Sequence, residues 1–200
     1  MNIVLASGNR GKLTELAALL APLGIGLQSQ AELGVEPAPE VGLTFVENAL
    51  DKARHASRLT GLPAIADDSG LVVPALGGAP GIRSARYAGD DADDQANNAK
   101  LIGALAGAGP NPDAHYYCAL VYLRHPEDPA PLIGTARWHG TILREPRGSG
   151  GFGYDPLFYL PALGCTAAEM AAADKNRLSH RGRAVAALIE ALRGELAAQP

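Results

Sequence analysis

Short apolar runs and helical patterns alternate along the chain, which is typical of an α/β protein. Residues 2–6, NIVLA, include β-branched members and predict a buried strand. Leucine and alanine then recur at helical spacing over residues 13–20, which predicts a helix after the segment SGNRGK. Residues 25–41, with their prolines and acids, are predicted to form a loop.

A helix with a capped start is predicted from the stretch TFVENALDKARHASRL. Thr44 and Glu47 fit the T-x-x-E capping box, and alanines follow at helical spacing on one face. Glu47 therefore has a structural explanation. Glu40, in the preceding loop, has no local role and is the better candidate for a carboxylate that faces a metal ion.

Candidate chemistry is concentrated in residues 65–89, IADDSGLVVPALGGAPGIRSARYAG. The apolar lead-in ends in Asp67 and Asp68, and a second apolar run follows Ser-Gly, so we predict strand, turn and strand with the acids at the break. Neighbouring residues of an extended chain point in opposite directions, so one acid should face a site while the other supports it. Paired carboxylates suit a metal ion, and Arg83 and Arg86 suit phosphate. An Asp-rich turn is the alternative interpretation.

The second half of the chain adds two helices and two strands. The acid cluster at residues 90–94 is interpreted as the solvated start of a helix rather than a metal site. Residues 115–123 and 132–143 predict two neighbouring strands of a central sheet. The last helix has an apolar stripe, and Ser179 is its expected N-cap.

Two further segments offer substrate contacts. In GSGGFGYDPLFYLP, glycines flank Phe152 and Tyr154, so one of these rings can form a wall of a base pocket; a glycine-rich loop packed on the core is the alternative. Lys175, His180 and Arg181 crowd the start of the last helix, where the helix dipole disfavours cations. An anionic or oxygen-rich ligand would explain that cluster.

The segment SGNRGK follows a strand and precedes a helix, a context in which backbone N–H groups bind an anion. Lys12 would reach the same anion. The segment lacks the GxxxxGK[ST] pattern of a Walker loop. A plain turn with Asn9 as helix cap is the alternative.

Bulk properties narrow the class of protein. A net charge of −4 argues against a nucleic-acid-binding surface, and no apolar run reaches the roughly 20 residues of a membrane span. Two distant cysteines and a start without a signal-peptide pattern lead us to expect a reduced cytoplasmic protein. Arginine outnumbers lysine 13 to 4, so each retained lysine can mark a need for a compact ammonium.

Five motifs taken together resemble the inosine triphosphate pyrophosphatase family, whose members hydrolyse noncanonical purine nucleoside triphosphates. In chain order they are SGNRGK, TFVENALDKA, ADDSG with APGIRSARYAG, GFGYDP and KNRLSHR. The resemblance runs from Asn2 to about Leu192, and its nearest form is the bacterial dITP/XTP pyrophosphatase.

The resemblance implies a single domain over residues 1–200, with an elongated mixed α/β sheet flanked by helices and two lobes around an active cleft. It also implies a homodimer and a Mg²⁺ requirement. Asp68 matches the general base and a metal carboxylate, and Glu40 the second metal carboxylate. The remaining matches are substrate contacts: Ser7, Gly8, Asn9, Arg10, Gly11, Lys12, Ser69, Phe152, Gly153, Tyr154, Asp155, Lys175, His180 and Arg181.

The expected reaction converts a triphosphate (dITP, ITP or XTP) and water to the monophosphate and pyrophosphate. Two other functions are weighed against it. One is a related hydrolase acting on modified pyrimidines or ordinary nucleotides, and the other is a nucleotide-binding regulatory module. The acids argue against the regulatory module, because a pure phosphate binder gains little from carboxylates beside a polyanion.

Overall fold

The structure is a computed structural model that describes residues 2–7, 13–14, 16–17 and 20–197, with side chains described as far as residue 195. Residues 13, 14, 16, 17 and 20 are helical, which agrees with the helix predicted there. In the part of the chain that the structure describes, no helix combines the length and apolarity needed to cross a membrane.

One seven-stranded sheet, in the order β2-β1-β3-β4-β5-β6-β7, organises the fold. β1 runs parallel to β2 and β3, whereas β6 runs antiparallel to β5 and β7. The predicted mixed α/β sheet is therefore confirmed. The strands are β1 (Asn2–Leu5), β2 (Gly26–Ser29), β3 (Ala64–Val72), β4 (Asp113–Leu123), β5 (Leu132–Ile142), β6 (Phe158–Leu160) and β7 (Cys165–Thr166).

Beyond residue 20, the α-helices of the described residues are α1 (Phe45–Thr60), α2 (Asp94–Ala104), α3 (Ala172–Leu178) and α4 (His180–Ala197). The Thr44–Glu47 capping box forms at the start of α1 as predicted. The expected cap at Ser179 is also present, because its hydroxyl accepts a hydrogen bond from the Gly182 N–H at 3.2 Å.

Backbone contacts divide the chain into two compact units. The first comprises Met1–Asp68, Cys118–Thr135 and Ala184–Pro200, and the second comprises Ser69–Tyr117 and Ala136–Arg183. In the first unit, α1 buries a face of alanines, among them Ala49 and Ala53, which allow close helix packing. In the second, aromatic rings dominate a core that includes Tyr116, Trp138, Tyr154 and Phe158.

Two sequence predictions are wrong in detail. The break predicted at Asp67 and Asp68 does not exist, because residues 64–72 form one continuous strand. Asp, Ser and Gly favour turns locally, but the buried apolar residues on both sides keep the segment extended in the sheet. The loop predicted over residues 25–41 contains β2, a short strand with little apolar pattern.

Candidate active site

The two acids of β3, Asp67 and Asp68, are the last residues of the segment Met1–Asp68 of the first unit. Asp67 and Asp68 are 3% and 8% exposed, so both carboxylates are buried. Asp68 Oδ1 accepts a hydrogen bond from Lys52 Nζ at 2.9 Å, and Asp68 Oδ2 accepts one from Asn48 Nδ2 at 3.2 Å. Both donors come from α1, four residues apart and therefore on one side of that helix.

Glu40 joins the same cluster through Lys52. The Lys52 ammonium donates to Glu40 Oε1 at 3.0 Å, so a single cation bridges Glu40 and Asp68. We call Glu40, Asn48, Lys52 and Asp68 the carboxylate–lysine cluster. The two carboxylates predicted to bind a metal ion are thus brought to one point.

Burial and charge set the protonation states in this cluster. Burial raises the pKa of Asp68 above its ordinary value, and the neighbouring Lys52 ammonium offsets part of that rise. Burial would lower the pKa of Lys52, but the negative charges of Asp68 and Glu40 outweigh it, so the pKa of Lys52 is raised and the ammonium stays charged. The cluster is therefore built to hold positive charge between two acids.

Asn48 orients the carboxylate of Asp68 through a hydrogen bond. Its side chain is 1% exposed, and its Oδ1 accepts from the Gly42 N–H at 2.8 Å while its Nδ2 donates to Asp68. Asn48 thus ties the loop that contains Glu40 to the carboxylate of Asp68. Sequence reasoning missed both Asn48 and Lys52. Their spacing of four residues within TFVENALDKA, and the scarcity of lysine, were the available signals.

Asp155 organises a second set of residues, all in the second unit. Its Oδ2 accepts from the Phe152 N–H at 2.8 Å and forms an ion pair with Lys175, and its Oδ1 accepts from the Tyr116 hydroxyl at 3.4 Å. Asp155 is 3% exposed, and these partners satisfy the hydrogen-bonding capacity of its buried carboxyl group. The Lys175–Asp155 pair was not foreseen from the sequence.

Phe152 presents an exposed ring beside two cations. The ring is 63% exposed, and its centroid lies 4.8 Å from Lys175 Nζ and 5.9 Å from Arg181 Cζ. These are cation–π distances. An exposed aromatic ring beside cations suits a flat, electron-rich heterocycle. We call Phe152, Asp155, Lys175, His180 and Arg181 the aromatic–cationic cluster.

Tyr154 does not offer a pocket wall. Its ring is 3% exposed, belongs to the core of the second unit, and its hydroxyl donates to the Ser84 carbonyl at 2.8 Å. Of the two rings predicted as alternatives for the pocket wall, only Phe152 is exposed, and the prediction is therefore kept for Phe152. The Tyr154 ring is buried because a phenol can satisfy its hydroxyl inside an apolar core.

His180 and Arg181 occupy the first two positions of α4. The His180 ring is 7% exposed and stacks on Tyr116, with ring centroids 4.7 Å apart and planes inclined by 9°. Arg181 Nη2 donates to Ser69 Oγ at 3.3 Å. The structure thus brings Ser69, Phe152, Lys175 and Arg181 into one neighbourhood, as their joint prediction as substrate contacts requires.

The remaining predicted contacts are only partly described. Ser7 directly follows β1, and its N–H donates to the Leu5 carbonyl at 2.8 Å. Residues 8–12, the rest of the predicted phosphate-binding segment, lie outside the described residues. Gly153 lies next to Phe152 with φ +62°, a backbone conformation that favours glycine.

The chain belongs to the Ham1 family, whose sequence model matches residues 3–191. It is 59% identical over 192 residues to the dITP/XTP pyrophosphatase of Yersinia pseudotuberculosis serotype I, covering 96% of this chain and 98% of the relative. It is 61% identical over 188 residues to the dITP/XTP pyrophosphatase of Xanthomonas oryzae pv. oryzae, covering 94% of each.

The fold is also that of a solved Ham1 structure. The HAM1 protein of Coxiella burnetii matches with a TM-score of 0.94 and 48% identity, over 97% of this chain and 99% of that one. The resemblance inferred from five short motifs is therefore confirmed by comparisons over nearly the whole chain.

Proposed function

We propose that this protein hydrolyses noncanonical purine nucleoside triphosphates, such as ITP, dITP and XTP, to the monophosphate and pyrophosphate. The observation that carries the proposal is the identity of 59% and 61%, over almost all of the chain, with two relatives named dITP/XTP pyrophosphatase. The carboxylate–lysine cluster suits the phosphate chemistry, and the aromatic–cationic cluster suits purine recognition.

Mg²⁺ fits the carboxylate–lysine cluster. Glu40 and Asp68 offer carboxylate oxygens, which Mg²⁺ prefers, and they already stabilise one cation, the Lys52 ammonium. Among the described residues no three His, Cys, Asp or Glu side chains form a metal-binding group, so substrate and water oxygens would complete the coordination. When bound, Mg²⁺ neutralises charge on the phosphate oxygens.

Asp68 is the proposed general base, since its carboxylate can accept a proton from the water that attacks the α-phosphorus. Its raised pKa makes it a stronger base than an exposed aspartate. Lys52 holds and orients that carboxylate. Residues 7–12 are proposed, from their sequence, to bind the triphosphate and stabilise the pyrophosphate leaving group.

The base is proposed to stack on Phe152, the exposed ring of the aromatic–cationic cluster. Hypoxanthine and xanthine carry an oxygen acceptor at position 6, where adenine carries an amino donor. Donors from His180 or Arg181 would pair with that oxygen and would meet the adenine amino group donor to donor. A site that hydrogen-bonds one group rejects an analogue that leaves its donors unpaired.

The cellular location and the oligomeric state are proposed from the same family resemblance. We place the enzyme in the cytoplasm as a homodimer, where it would cleanse the nucleotide pool. Neither Cys118 nor Cys165 forms a disulfide bond, which fits a reducing compartment.

Phosphorus NMR of ITP with the protein and Mg²⁺ tests the proposal. Inosine monophosphate and pyrophosphate as the first products would support it. Orthophosphate as the first product would instead identify a phosphatase, and unchanged ITP would identify a binding module. Parallel reactions with ATP and with a pyrimidine triphosphate test base selection, because comparable kcat/KM values would contradict the proposed reading of the 6-oxygen.

A further inference from the structure

Two side chains of α2 hold both backbone polar groups of one loop residue, Gly153. Asp94 Oδ2 accepts from the Gly153 N–H at 2.6 Å, and Asn98 Nδ2 donates to the Gly153 carbonyl at 2.9 Å. These contacts join residues 59 and 55 positions apart in the chain. Asp94 and Asn98 are one helical turn apart and therefore project from the same side of α2.

The loop around Gly153 depends on side-chain hydrogen bonds. Phe152 N–H, Gly153 N–H and Gly153 C=O are bound respectively by Asp155, Asp94 and Asn98. Backbone polar groups away from regular structure need such partners to stay in place. The bond to Asp94 is charge-assisted, which offsets part of the competition from water at this exposed position.

Packing contributes less to this loop than it does to the core. The Phe152 ring is 63% exposed, so apolar neighbours do not fix it. A pocket of about 300 Å³ is lined by residues of both α2 and the loop, among them Asp94, Asn98, Ile102, Phe152 and Gly153. The two hydrogen bonds to Gly153 are therefore direct contacts between the two sides of this lining.

We infer that Asp94 and Asn98 are positioning residues that set the place of the Phe152 ring for stacking on the substrate base. This inference rests on the proposed function. Without these two bonds, the loop would be held on one side only, by Asp155 at the Phe152 N–H, so the ring would sample more positions and binding would first have to order it. The cost should fall on binding of the base and leave the chemistry at the phosphate unchanged.

Steady-state kinetics of Asp94→Ala and Asn98→Ala with ITP test the inference. We expect KM to rise about tenfold in each variant, which corresponds to the loss of one good hydrogen bond, with kcat within about twofold of wild type. Asp94→Asn keeps an acceptor for the Gly153 N–H and should restore most of the affinity. Inhibition by inorganic tripolyphosphate, which has no base to stack, should be unchanged in all three variants.

Asp93→Ala is the matched control for helix stability. Asp93 Oδ1 caps α2 by accepting from the Ala96 N–H at 2.7 Å and makes no bond to Gly153 in the structure. An equal rise of KM in Asp93→Ala would reduce the role of Asp94 to helix stability and overturn the inference. An unchanged KM in Asp94→Ala, or an equal loss of tripolyphosphate binding, would overturn it as well.

Hydrogen exchange separates this inference from the proposed function. The Gly153 amide should be protected in the wild type and should lose protection in Asp94→Ala, while amides in the middle of α2 keep theirs. A wild type that releases no pyrophosphate from ITP, with this exchange pattern intact, would refute the proposed function and leave the loop-holding role. Unchanged Gly153 exchange would refute the positioning role whatever the activity.

Discussion

Lys52 donates a hydrogen bond of 2.9 Å to Asp68, and the two side chains form an ion pair. The Lys52 side chain is 15% exposed and that of Asp68 is 11% exposed, so solvent screens the pair only in part. Because Lys52 also reaches Glu40, the ammonium links the two carboxylates that are proposed to hold Mg²⁺.

Replacing Asp68 with Asn should abolish the base without disturbing the fold. Asn has the same shape and its one oxygen can still accept from Lys52, although its NH₂ group then faces the Asn48 donor, and it cannot take a proton from water. We expect kcat for pyrophosphate release to fall at least about 100-fold, with an unchanged circular dichroism spectrum. Asp51→Asn, an exposed position on α1, is the matched control. Turnover near the wild-type value would remove Asp68 from the proposed role.

Lys52→Met should alter the response to Mg²⁺. The variant removes a positive charge that lies within 3.0 Å of both carboxylates, so Glu40 and Asp68 should attract the metal more strongly. We expect the Mg²⁺ concentration for half-maximal activity to fall about three- to tenfold, as for an ion pair worth about 1 kcal/mol. Lys100→Met controls for the loss of one charge. A higher Mg²⁺ requirement in Lys52→Met would contradict the metal assignment.

Gly151→Ala should damage the aromatic–cationic cluster beyond its backbone cost. Gly151 has φ +74°, and an added Cβ would overlap the Asp155 carboxylate and come within 3.0 Å of Lys175 Nζ. Gly164→Ala has a comparable φ of +69° but open space around the new Cβ. Both should lose about 1–2 kcal/mol of stability from the left-handed conformation, but only Gly151→Ala should raise KM for ITP. Equal KM values would show that Asp155 tolerates displacement.

Asp128 should make unfolding depend on pH. It accepts from the Arg124 side chain at 2.6 and 2.8 Å and from two backbone N–H groups, and the Arg124 hydrogen bonds hold the pKa of Asp128 well below its ordinary value. A lowered pKa contributes stability above the unfolded value of about 3.9, and this contribution is lost as the pH falls through the folded value.

We therefore expect Asp128→Asn to lower the free energy of unfolding by about 1.5–3 kcal/mol at pH 7, with a smaller difference from wild type below pH about 3. Urea unfolding of both proteins at neutral pH and at the low pH measures the two differences in the free energy of unfolding. Glu127→Gln, at the exposed neighbouring position, should change little. A constant difference in the free energy of unfolding between wild type and Asp128→Asn across this pH range would show that the charge of Asp128 does not stabilise the segment 124–130.

Local signals predicted the local structure well. The Thr44–Glu47 capping box and the Ser179 cap formed as expected, because each depends on residues three positions apart. The turn predicted at residues 67–70 is wrong because turn propensity, too, reports only on neighbouring residues. It is a local preference, and pairing of β3 within the sheet overrides it.

Contacts between distant residues were the part that the sequence did not reveal. Lys52 meets Asp68 across 16 positions, and Lys175 meets Asp155 across 20. A single sequence contains no signal for which cation pairs with which acid. The motifs could name Asp68 and Asp155 as candidates, but only the fold shows the side chains that hold them.

The amide of Asn48 makes the carboxylate–lysine cluster vulnerable to a change of a single group. Its orientation is dictated by its partners, since Gly42 offers a donor and Asp68 offers acceptors. Deamidation of Asn48, a spontaneous lesion of ageing proteins, would replace the donor with a second anion against Asp68. The loss of one side-chain N–H donor would thus turn a hydrogen bond into a repulsion between two carboxylates, and burial inside α1 shields that amide from the lesion.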